Sequence, residues 1–498
     1  MGHRVPARAA PERPGAGPAR IVAPADAAKA CRTVHSRHPG RLVRSDLKPE
    51  PRKTRAEPDR TPLLSQYLLA PPRATLARGH PNNARPSRAS PLLLPPPFLQ
   101  PARRSAFAPT PALAPALEAA IAVAPTAGTL SDSDRAAVAR DLGYRSIGAD
   151  LPDSVTLQDV IKSLPPSVFT INPVRAWAAV ATTVAAVALS VALIAVSPWY
   201  LLPLAWVFAG TAWTGLFVVG HDCGHRSFST NKLVEDVVGT LAFAPLLFPF
   251  EPWRIKHNHH HAHTNKLVED TAWHPVPAAE AAKWGPVTGA LYKIFLGSPL
   301  KLWASVGHWA IWHFNLDLYT EKQKPRVLVS LAAVAAFAAV AFPLIYTYGG
   351  GLAGIAKFWL MPWLGYHFWM STFTVVHHTA PHIPFKPAGE WDAAAAQLSG
   401  TVHCDYPALV EFLCHDINVH VPHHVSSKIP WYNLRAATDS LRENWGRHMT
   451  EASWNWRMMK AIMTECHVYD EKTNYVPFDA AKEEAFLAAQ RKWLPDTM

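Results

Sequence analysis

Three short histidine clusters contain the side chains of this chain that are best suited to binding a transition metal. They read His221-Asp-Cys-Gly-His225, His257-Asn-His-His260-His261 and His420-Val-Pro-His423-His424. The spacing is H-x₃-H in the first cluster and H-x₂-H-H in the other two, which gives eight imidazoles at the positions of these patterns, with His259 at a spacer position. Imidazole is a donor that suits iron, zinc or copper. Eight imidazoles are too many for one ion, so the clusters predict a site for two.

Helical spacing would bring the members of each cluster together. Residues four apart lie on one face of a helix, so His221 and His225 should point the same way, as should His257 and His261. His260 follows His257 by three residues and lies near the same face. We therefore expect each H-x₂-H-H cluster to direct three imidazoles toward one centre. His259 falls on the other side of such a helix and is not expected to bind.

The ligand set favours iron over the other metals. A structural zinc site needs four ligands and usually some thiolate, whereas Cys223 is the only thiol inside a cluster. Soluble di-iron enzymes use Glu-x-x-His pairs, and no such pair recurs here. A nearly all-histidine di-iron site remains. Its expected chemistry is the reduction of O₂ with two external electrons, which yields an oxidant able to remove hydrogen from an unactivated methylene.

Several other residues are candidates for supporting roles at this site. Asp222, Asp270 and Asp416 could orient ligand imidazoles, or each could be a helix cap or a solvated residue. One residue of the His377-His378 pair could complete the iron ligands, and His415 is a further contender.

Long apolar segments flank the clusters and must position them. We predict transmembrane helices over residues 176–197, 201–220, 327–348 and 354–376. The apolar segment 237–250 has 14 residues, too few to cross a hydrocarbon core of about 30 Å at about 1.5 Å per residue. It is therefore predicted to be re-entrant or interfacial. Residues 280–320 mix aromatic with charged side chains and should lie on the membrane surface.

The number of crossings decides whether the clusters can share one site. Only the non-spanning segment lies between the first and second clusters, and two full spans separate the second from the third. An even number of crossings puts all three clusters on the same side of the membrane. A shared metal site is therefore topologically possible.

Composition agrees with a membrane protein. Charged residues make up only 17% of the 498 residues and hydrophobic ones 49%, and there are 19 tryptophans. The net charge of +11 comes from the N-terminal end: residues 1–110 hold 20 Lys/Arg and 6 Asp/Glu, and the remainder 28 and 31. The basic charge therefore gives no reason to expect nucleic-acid binding. The five cysteines form no paired framework, which favours reduced thiols.

Residues 1–110 are unlike the rest of the chain. They contain 20 of the 47 prolines, and no apolar run is long enough to span a membrane. Such a segment should be disordered, and its Arg-rich, acid-poor composition is typical of an organelle transit peptide. The alternative is a disordered tail without a targeting role. Ordered structure is expected to begin near Leu142, with a helix N-terminus at Thr156-Leu-Gln-Asp159.

From about Leu142 to Tyr475 the chain resembles the membrane fatty acid desaturases, and within them the plastid omega-6 (delta-12) branch of plants and algae. The two H-x₂-H-H clusters alone would indicate only the broad superfamily. Longer strings are more specific to the plastid branch. They are Ala195-Val-Ser-Pro-Trp-Tyr-Leu-Leu-Pro-Leu-Ala, Gly220-His-Asp-Cys-Gly-His, Asn231-Lys-Leu-Val-Glu-Asp, Glu251-Pro-Trp-Arg, Glu269-Asp-Thr-Ala-Trp-His-Pro, Met361-Pro-Trp-Leu-Gly-Tyr-His-Phe-Trp-Met-Ser, Val376-His-His-Thr-Ala-Pro-His-Ile-Pro and Cys414-His-Asp-Ile-Asn-Val-His.

The resemblance implies an all-α integral membrane protein, with four transmembrane helices and a cap that carries a histidine-ligated di-iron centre. The corresponding domains are a disordered region with an expected plastid transit peptide (1–110), a soluble segment (111–175), the membrane desaturase domain (176–476) and a C-terminal tail (477–498). The implied iron ligands are the eight cluster histidines and a ninth at His378. They are His221, His225, His257, His260, His261, His420, His423, His424 and His378.

The resemblance also implies an activity, partners and a location. The expected reaction introduces a second cis double bond into monounsaturated C18 or C16 acyl chains of plastid membrane glycerolipids. It would use O₂ as co-substrate, two iron ions as cofactor and ferredoxin as electron donor. The expected location is a plastid membrane, the inner envelope, as a multi-pass protein.

The first and second clusters each depart from the family pattern. The second cluster commonly reads H-D-R-H-H, whereas Asn258 and His259 stand here. These are spacer positions, so metal binding should be little affected. Gly224 replaces the usual Ala of the first cluster, which is expected to be a small change.

Two other functions remain open at this stage. A hydroxylase would begin with the same hydrogen abstraction on the same di-iron scaffold. A histidine-lined metal transporter is a different class, but transport would favour polar residues inside the spans. The predicted spans hold few of these apart from His367 and residues at their ends.

Overall fold

The computed structural model describes residues 131–470 and 474–476. The predicted disordered region with its transit peptide (1–110), the first part of the soluble segment and the tail (477–498) lie outside the described residues. The expected start of order near Leu142 is wrong, because a helix already covers Asp132–Leu142. Ser131 caps its first turn, and Gly143 ends it with φ +86°, a conformation that glycine adopts without strain.

The fold is mainly helical. The helices are α1 Asp132–Leu142, α2 Leu157–Lys162, α3 Pro173–Val196, α4 Leu202–His225, α5 Lys232–Phe243, α6 Phe250–Ala262, α7 Ala278–Ala281, α8 Pro286–Leu296, α9 Ala304–Trp312, α10 Lys324–Gly349, α11 Gly351–Ile355, α12 Met361–His378, α13 Ala393–Leu398, α14 Ala408–Leu413, α15 His420–Val425, α16 Leu434–Trp445 and α17 Trp456–Glu465. The strands are β1 Tyr144–Ser146, β2 Val276–Pro277, β3 Val402–Asp405, β4 Thr450–Ser453, β5 Val468–Asp470 and β6 Asn474–Val476.

Three helices of the described region are long and apolar enough to cross a membrane. They are α3, α4 and α10, and they correspond to the first, second and third predicted spans. The predicted re-entrant segment 237–250 contains a sharp bend, where Lys232–Leu246 and Phe250–Ala262 meet at 102°. If this bent pair is counted as one span, the described residues hold four.

The fourth predicted span, 354–376, is helical but does not reach that length and apolarity as one helix. It consists of α11, a π-helical turn over Ala356–Leu360, and α12. Gly350, at φ +100°, separates it from α10, and Gly351, the first residue of α11, also has a positive φ of +71°. Polar side chains such as His367, Ser371 and Thr372 make α12 less apolar, and all three are buried against neighbouring elements.

Helices α4 and α12 cross at two glycines. A Cβ atom added to Gly210 would lie 2.5 Å from the Cα of Gly365, so no larger side chain fits at the crossing. Small residues of this kind allow the closest approach of two helix backbones. Each helix continues beyond the crossing to a histidine at its C-terminal end, His225 on α4 and His378 on α12. The crossing therefore sets the relative position of two candidate ligand helices.

Helix α8 lies in the segment that is predicted to rest on the membrane surface. Val287, Leu291, Ile294 and Phe295 on this helix are all exposed. Helix α9, by contrast, packs on α12, where Ser305 N donates a hydrogen bond to Ser371 Oγ. Part of the segment that was predicted to lie on the membrane surface therefore packs against α12.

Two small sheets join distant parts of the chain outside the long helices. One has the order β1-β4-β3, with β1 antiparallel and β3 parallel to β4, and the other has the order β2-β5-β6. The all-α expectation missed these sheets, because each strand has only two to four residues. The first sheet fixes the N-terminal β1 to the segments on either side of α15.

Two other local predictions are confirmed. Thr156 and Asp159 form a capping box at the start of α2, with the Thr156 side chain accepting from Asp159 N and the Asp159 side chain accepting from Thr156 N. The four described cysteines, Cys223, Cys404, Cys414 and Cys466, are free and buried. Cys31 lies outside the described residues.

Candidate metal centre

The candidate ligands converge in two adjacent groups. The ligand atoms within each group all lie within 4.8 Å of one another. The first group is His221, His225, His257, His261 and His423. The second group is His260, His378 and His424. These are the only such groups that include predicted ligands in the described part of the chain.

Helix geometry explains which histidines share a group. Residues four apart on a helix differ by about 40° in direction, and adjacent residues by about 100°. His257 and His261 on α6 therefore point together into the first group, while His260 points into the second. The expectation that each H-x₂-H-H cluster serves one centre is wrong, because adjacent residues on one helix diverge too far to do so.

The third cluster is divided in the same way. His423 on α15 belongs to the first group and His424 to the second. His420 is in neither group, but its Nε2 atom lies 2.9 Å from Nε2 of His378, so it borders the second group. All three histidines of α15 are buried. Each H-x₂-H-H cluster thus lies between the two groups and contributes to both.

Hydrogen bonds outside the groups determine which ring nitrogen faces inward. Nδ1 of His420 donates to the backbone carbonyl of Ile417 at 3.1 Å, because a carbonyl oxygen can only accept. Nδ1 of His260 lies 2.7 Å from Oδ1 of the fully buried Asp270 and donates to that carboxylate. In a neutral imidazole the other nitrogen, Nε2, then carries a free lone pair. Bound metal takes such a lone pair.

The inward-facing nitrogens fit a metal ion. Several are buried and have no hydrogen-bond partner in the described region, among them Nε2 of His221, both ring nitrogens of His225, and Nε2 of His424. Nε2 of His261 lies 3.3 Å from Nε2 of His257 and 3.0 Å from Nε2 of His423. Nitrogen lone pairs held this close repel one another unless a proton or a cation lies between them. The donor set therefore fits a cation in each group.

Burial keeps the third cluster neutral. Burial lowers the pKa of His420, His423 and His424 well below the ordinary value of 6.5, and neighbouring imidazoles lower it further. A neutral imidazole is the form that binds metal. The third cluster therefore presents its imidazoles in the protonation state that a metal requires.

The three candidate supporting aspartates have different roles. Asp270 orients His260 and also accepts hydrogen bonds from the backbone nitrogens of Asn265 and Ala272. Oδ1 of Asp222 lies 3.4 Å from Nδ1 of His221, and its Oδ2 accepts from Trp431 N. Asp416 has no contact of this kind and pairs with Arg435 at 2.5 Å. Of the three, Asp270 is thus held most firmly against a candidate ligand.

The remaining histidine candidates lie outside both groups. His377 is buried with its ring centroid 4.5 Å from that of His420. Nε2 of His415 lies 2.7 Å from the Thr183 hydroxyl, so that nitrogen is occupied. His259 is exposed and stacks on His263 at 4.0 Å, as its position on the outer side of α6 predicts.

Gln397 on α13 was not foreseen from the sequence. It is 2% exposed, and its Oε1 atom lies 2.8 Å from Nδ1 of His424. Four consecutive alanines precede it and Leu398 follows it. The sequence could have indicated a role for Gln397 only through this one polar side chain in an otherwise apolar short helix.

A wall of buried aromatic side chains adjoins the first group. Its members are Phe217, Phe243, Phe248, Trp253 and Tyr366, all buried. Trp253 stacks on His257 with ring centroids 4.6 Å apart, and Phe217 lies 6.3 Å from His221. A Cβ atom at Gly224 would lie 2.5 Å from the indole ring of Trp253, so the absence of a side chain at residue 224 leaves room for this ring. The wall offers an apolar, water-excluding surface beside the candidate ligands.

Comparison with known proteins gives a consistent result. The family model for fatty acid desaturases matches residues 197–456. A Brassica napus protein described as omega-6 fatty acid desaturase, chloroplastic, is 55% identical over 365 residues, covering 73% of this chain and 82% of the relative. An Arabidopsis thaliana protein of the same description is 54% identical over 377 residues, covering 75% and 84%. A Synechocystis protein described as sn-1 oleoyl-lipid 12-desaturase is 52% identical over 328 residues, covering 66% and 93%.

Proposed function

Because this chain belongs to the fatty acid desaturase family, we propose that it is an omega-6 (delta-12) acyl-lipid desaturase of a plastid membrane. In this reaction a second cis double bond enters a monounsaturated C18 or C16 chain of a membrane glycerolipid. The observation that carries the proposal is the pair of histidine groups beside a buried aromatic wall, in a chain about half identical to relatives with these descriptions.

We propose that the two groups hold two iron ions. The first ion would bind His221, His225, His257, His261 and His423, and the second His260, His378, His424 and His420. His420 is included because its Nε2 faces Nε2 of His378 at 2.9 Å. His378 is preferred to His377 and His415 as the ninth ligand because it alone of the three lies in a group. Neutral imidazoles suit iron better than magnesium or calcium, which prefer carboxylate and carbonyl oxygens.

Bound iron would supply the activation of O₂ that allows hydrogen to be removed from a methylene. The protein residues then have three tasks. Asp270 fixes the ring of His260 through a hydrogen bond of 2.7 Å. Phe217 and Trp253 keep water away from the ligands on the lipid side. The same aromatic wall would bind the acyl chain and set which carbons face the ions. A small shift of the acyl chain decides between desaturation and hydroxylation. Positioning the acyl chain is therefore the main contribution of these residues to the choice of product.

The partners and the location follow from the same proposal. The electrons would come from ferredoxin, and the substrate from the surrounding glycerolipids. The protein would be multi-pass in the inner envelope, with α3, α4, α10 and a fourth crossing in the bilayer and the two sheets within a cap over the ions. Residues 1–110 would be a disordered region that contains the transit peptide, followed by a soluble segment to residue 175, the desaturase domain to 476 and a C-terminal tail.

Expression in a cyanobacterium that lacks its own delta-12 desaturase tests the proposal. We expect dienes to replace monoenes in the membrane lipids, both for the full chain and for residues 111–498. The control is His260→Ala, which should give no diene while the protein remains in the membrane. Hydroxy acids in place of dienes would refute desaturation. If the protein takes up metal but consumes neither O₂ nor reduced ferredoxin, it is a transporter instead.

A further inference from the structure

Gln397 contacts residues of both histidine groups. Its Oε1 atom lies 2.8 Å from Nδ1 of His424, a member of the second group. Its Nε2 atom donates a hydrogen bond of 2.6 Å to the backbone carbonyl of His261, a member of the first group. Gln397 therefore joins α13 to α6 on one side and to α15 on the other.

The chemistry of these partners leaves one orientation for the amide. The His261 carbonyl can only accept a hydrogen bond, so the amide nitrogen of Gln397 must face it. The amide oxygen then faces His424, and Nδ1 of His424 must be the donor. The Thr264 hydroxyl reinforces this arrangement. It donates to the His260 carbonyl at 2.9 Å and therefore accepts at its contact of 3.3 Å with the same Nδ1.

With Nδ1 protonated, the lone pair of His424 is on Nε2. That atom is buried and has no hydrogen-bond partner among residues 131–470 and 474–476. It is also the atom left to face His260 and His378. The amide of Gln397 thus determines both the tautomer and the ring plane of His424.

We propose that Gln397 is a positioning residue for the metal centre, which presents Nε2 of His424 to the second ion and holds the last turn of α6 at a fixed distance from α15. The inference rests on the proposed function only in that the two groups hold metal. Outer hydrogen-bond partners of ligating histidines typically contribute about 10- to 100-fold to metal affinity. Loss of the Gln397 hydrogen bonds should therefore weaken binding of the second ion.

Two substitutions of similar size separate positioning from packing. Gln397→Leu removes both hydrogen bonds and leaves an apolar side chain in a buried place. Gln397→Glu keeps an oxygen that accepts from Nδ1 of His424, but it loses the donor to the His261 carbonyl and adds a buried charge. If Gln397 only fills space, Leu should be tolerated and Glu should be the more harmful change. If it positions His424, Glu should retain the second ion and Leu should lose it.

The measurement is iron per protein after purification of the full chain, together with the rate at which a chelator removes Fe²⁺. We expect the Leu variant to fall from two irons toward one, with release of the second ion at least tenfold faster. The Glu variant should stay closer to two. Thr438→Val is the matched control, because it removes another buried hydrogen bond, from the Thr438 hydroxyl to the Leu434 carbonyl, and Thr438 lies outside both groups.

The outcomes are distinguishable. If Gln397→Leu still holds two irons and releases them at the wild-type rate, the role of Gln397 is overturned and the proposed function stays intact. A Glu variant that holds less iron than the Leu variant would lead to the same conclusion. A wild-type protein that binds no iron would overturn both. Melting temperatures of the purified variants show whether the Leu variant is folded. If it is not, the comparison of the Glu variant with wild type decides: a second ion kept in the Glu variant supports the role of Gln397, and its loss overturns it.

Discussion

Nδ1 of His260 and Oδ1 of Asp270 lie 2.7 Å apart, and both side chains are buried. The carboxylate also accepts two backbone hydrogen bonds, so it is held rigidly behind the ring. We expect Asp270→Ala to lower iron affinity about 10- to 100-fold, because the imidazole loses the partner that orients it. Chelator competition on the purified protein measures the change. Asp439→Ala, at a largely exposed side chain, is the control and should bind iron as wild type does. An unchanged affinity in Asp270→Ala would falsify the role of this carboxylate.

Neighbouring histidines of α6 should respond in opposite ways to substitution. His260 is buried in the second group, whereas His259 is exposed and stacks on His263. We expect His260→Ala to reduce diene formation by more than about 100-fold, beyond the loss typical of an outer partner. His259→Ala should retain nearly full activity. Lipid profiles of expressing cells, with immunoblots of the membrane fraction, test both. The ligand assignment is wrong if His260→Ala still makes dienes at a normal rate.

The glycine crossing of α4 and α12 should be sensitive to a single methyl group. A Cβ at Gly210 would meet the backbone of Gly365 at 2.5 Å, so Gly210→Ala must push the helices apart. Overpacking of this kind costs about 1–3 kcal/mol of unfolding free energy. It should also lower activity, because His225 and His378 lie on the separated helices. Thermal unfolding in detergent and diene formation measure the two effects.

Gly289→Ala on α8 is the matched control, since an added Cβ there has nothing within 4 Å. Alanine is favoured over glycine in a helix by about 0.5–1 kcal/mol, so this variant should be as stable as wild type or more so. Equal melting temperatures for Gly210→Ala and wild type would count against a close crossing.

Stability should fall with acid partly through His415. Burial lowers its pKa to about 4, whereas the imidazole of an unfolded chain titrates near 6.5. Between these values the unfolded state takes up a proton that the folded state does not, so the free energy of unfolding decreases as the pH falls through this window. At about 1.4 kcal/mol per pH unit, the loss between pH 6.5 and 5.5 is on the order of 1 kcal/mol.

The variant His415→Asn isolates this effect, because asparagine does not titrate and can still bond to the Thr183 hydroxyl. We expect its unfolding free energy in detergent to fall less steeply between pH 6.5 and 5.5 than that of wild type. If the free energy of unfolding falls equally steeply with pH in the two proteins, His415 does not cause the loss of stability in acid.

The spacing of the histidines predicted the ligand helices well, because positions four apart on a helix share a face whatever surrounds it. Thus His221 and His225, and His257 and His261, point together as expected. The division of each H-x₂-H-H cluster between two groups was not predicted. It depends on how α6 and α15 are rotated against each other, which is decided by tertiary packing rather than by spacing.

Long-range contacts explain the other differences. Gln397 lies 136 residues from His261, and no local pattern relates the two. The small sheets pair strands as distant as Tyr144 and Ala452, and strands of so few residues leave no alternation to detect. The apolar spans α3, α4 and α10, by contrast, were visible because their composition alone determines them.

Helices α6 and α15 each give adjacent residues to different groups, His260 and His261 on the one and His423 and His424 on the other. Neighbouring residues of a helix are related by about 100° of rotation and 1.5 Å of rise, values that thermal motion hardly alters. In the proposed two-iron centre, the separation between the ions would therefore be fixed by the backbone geometry of these two helices. A two-electron oxidation would need both ions at a constant distance while lipids exchange and an electron donor docks, and the two helix backbones would maintain that distance.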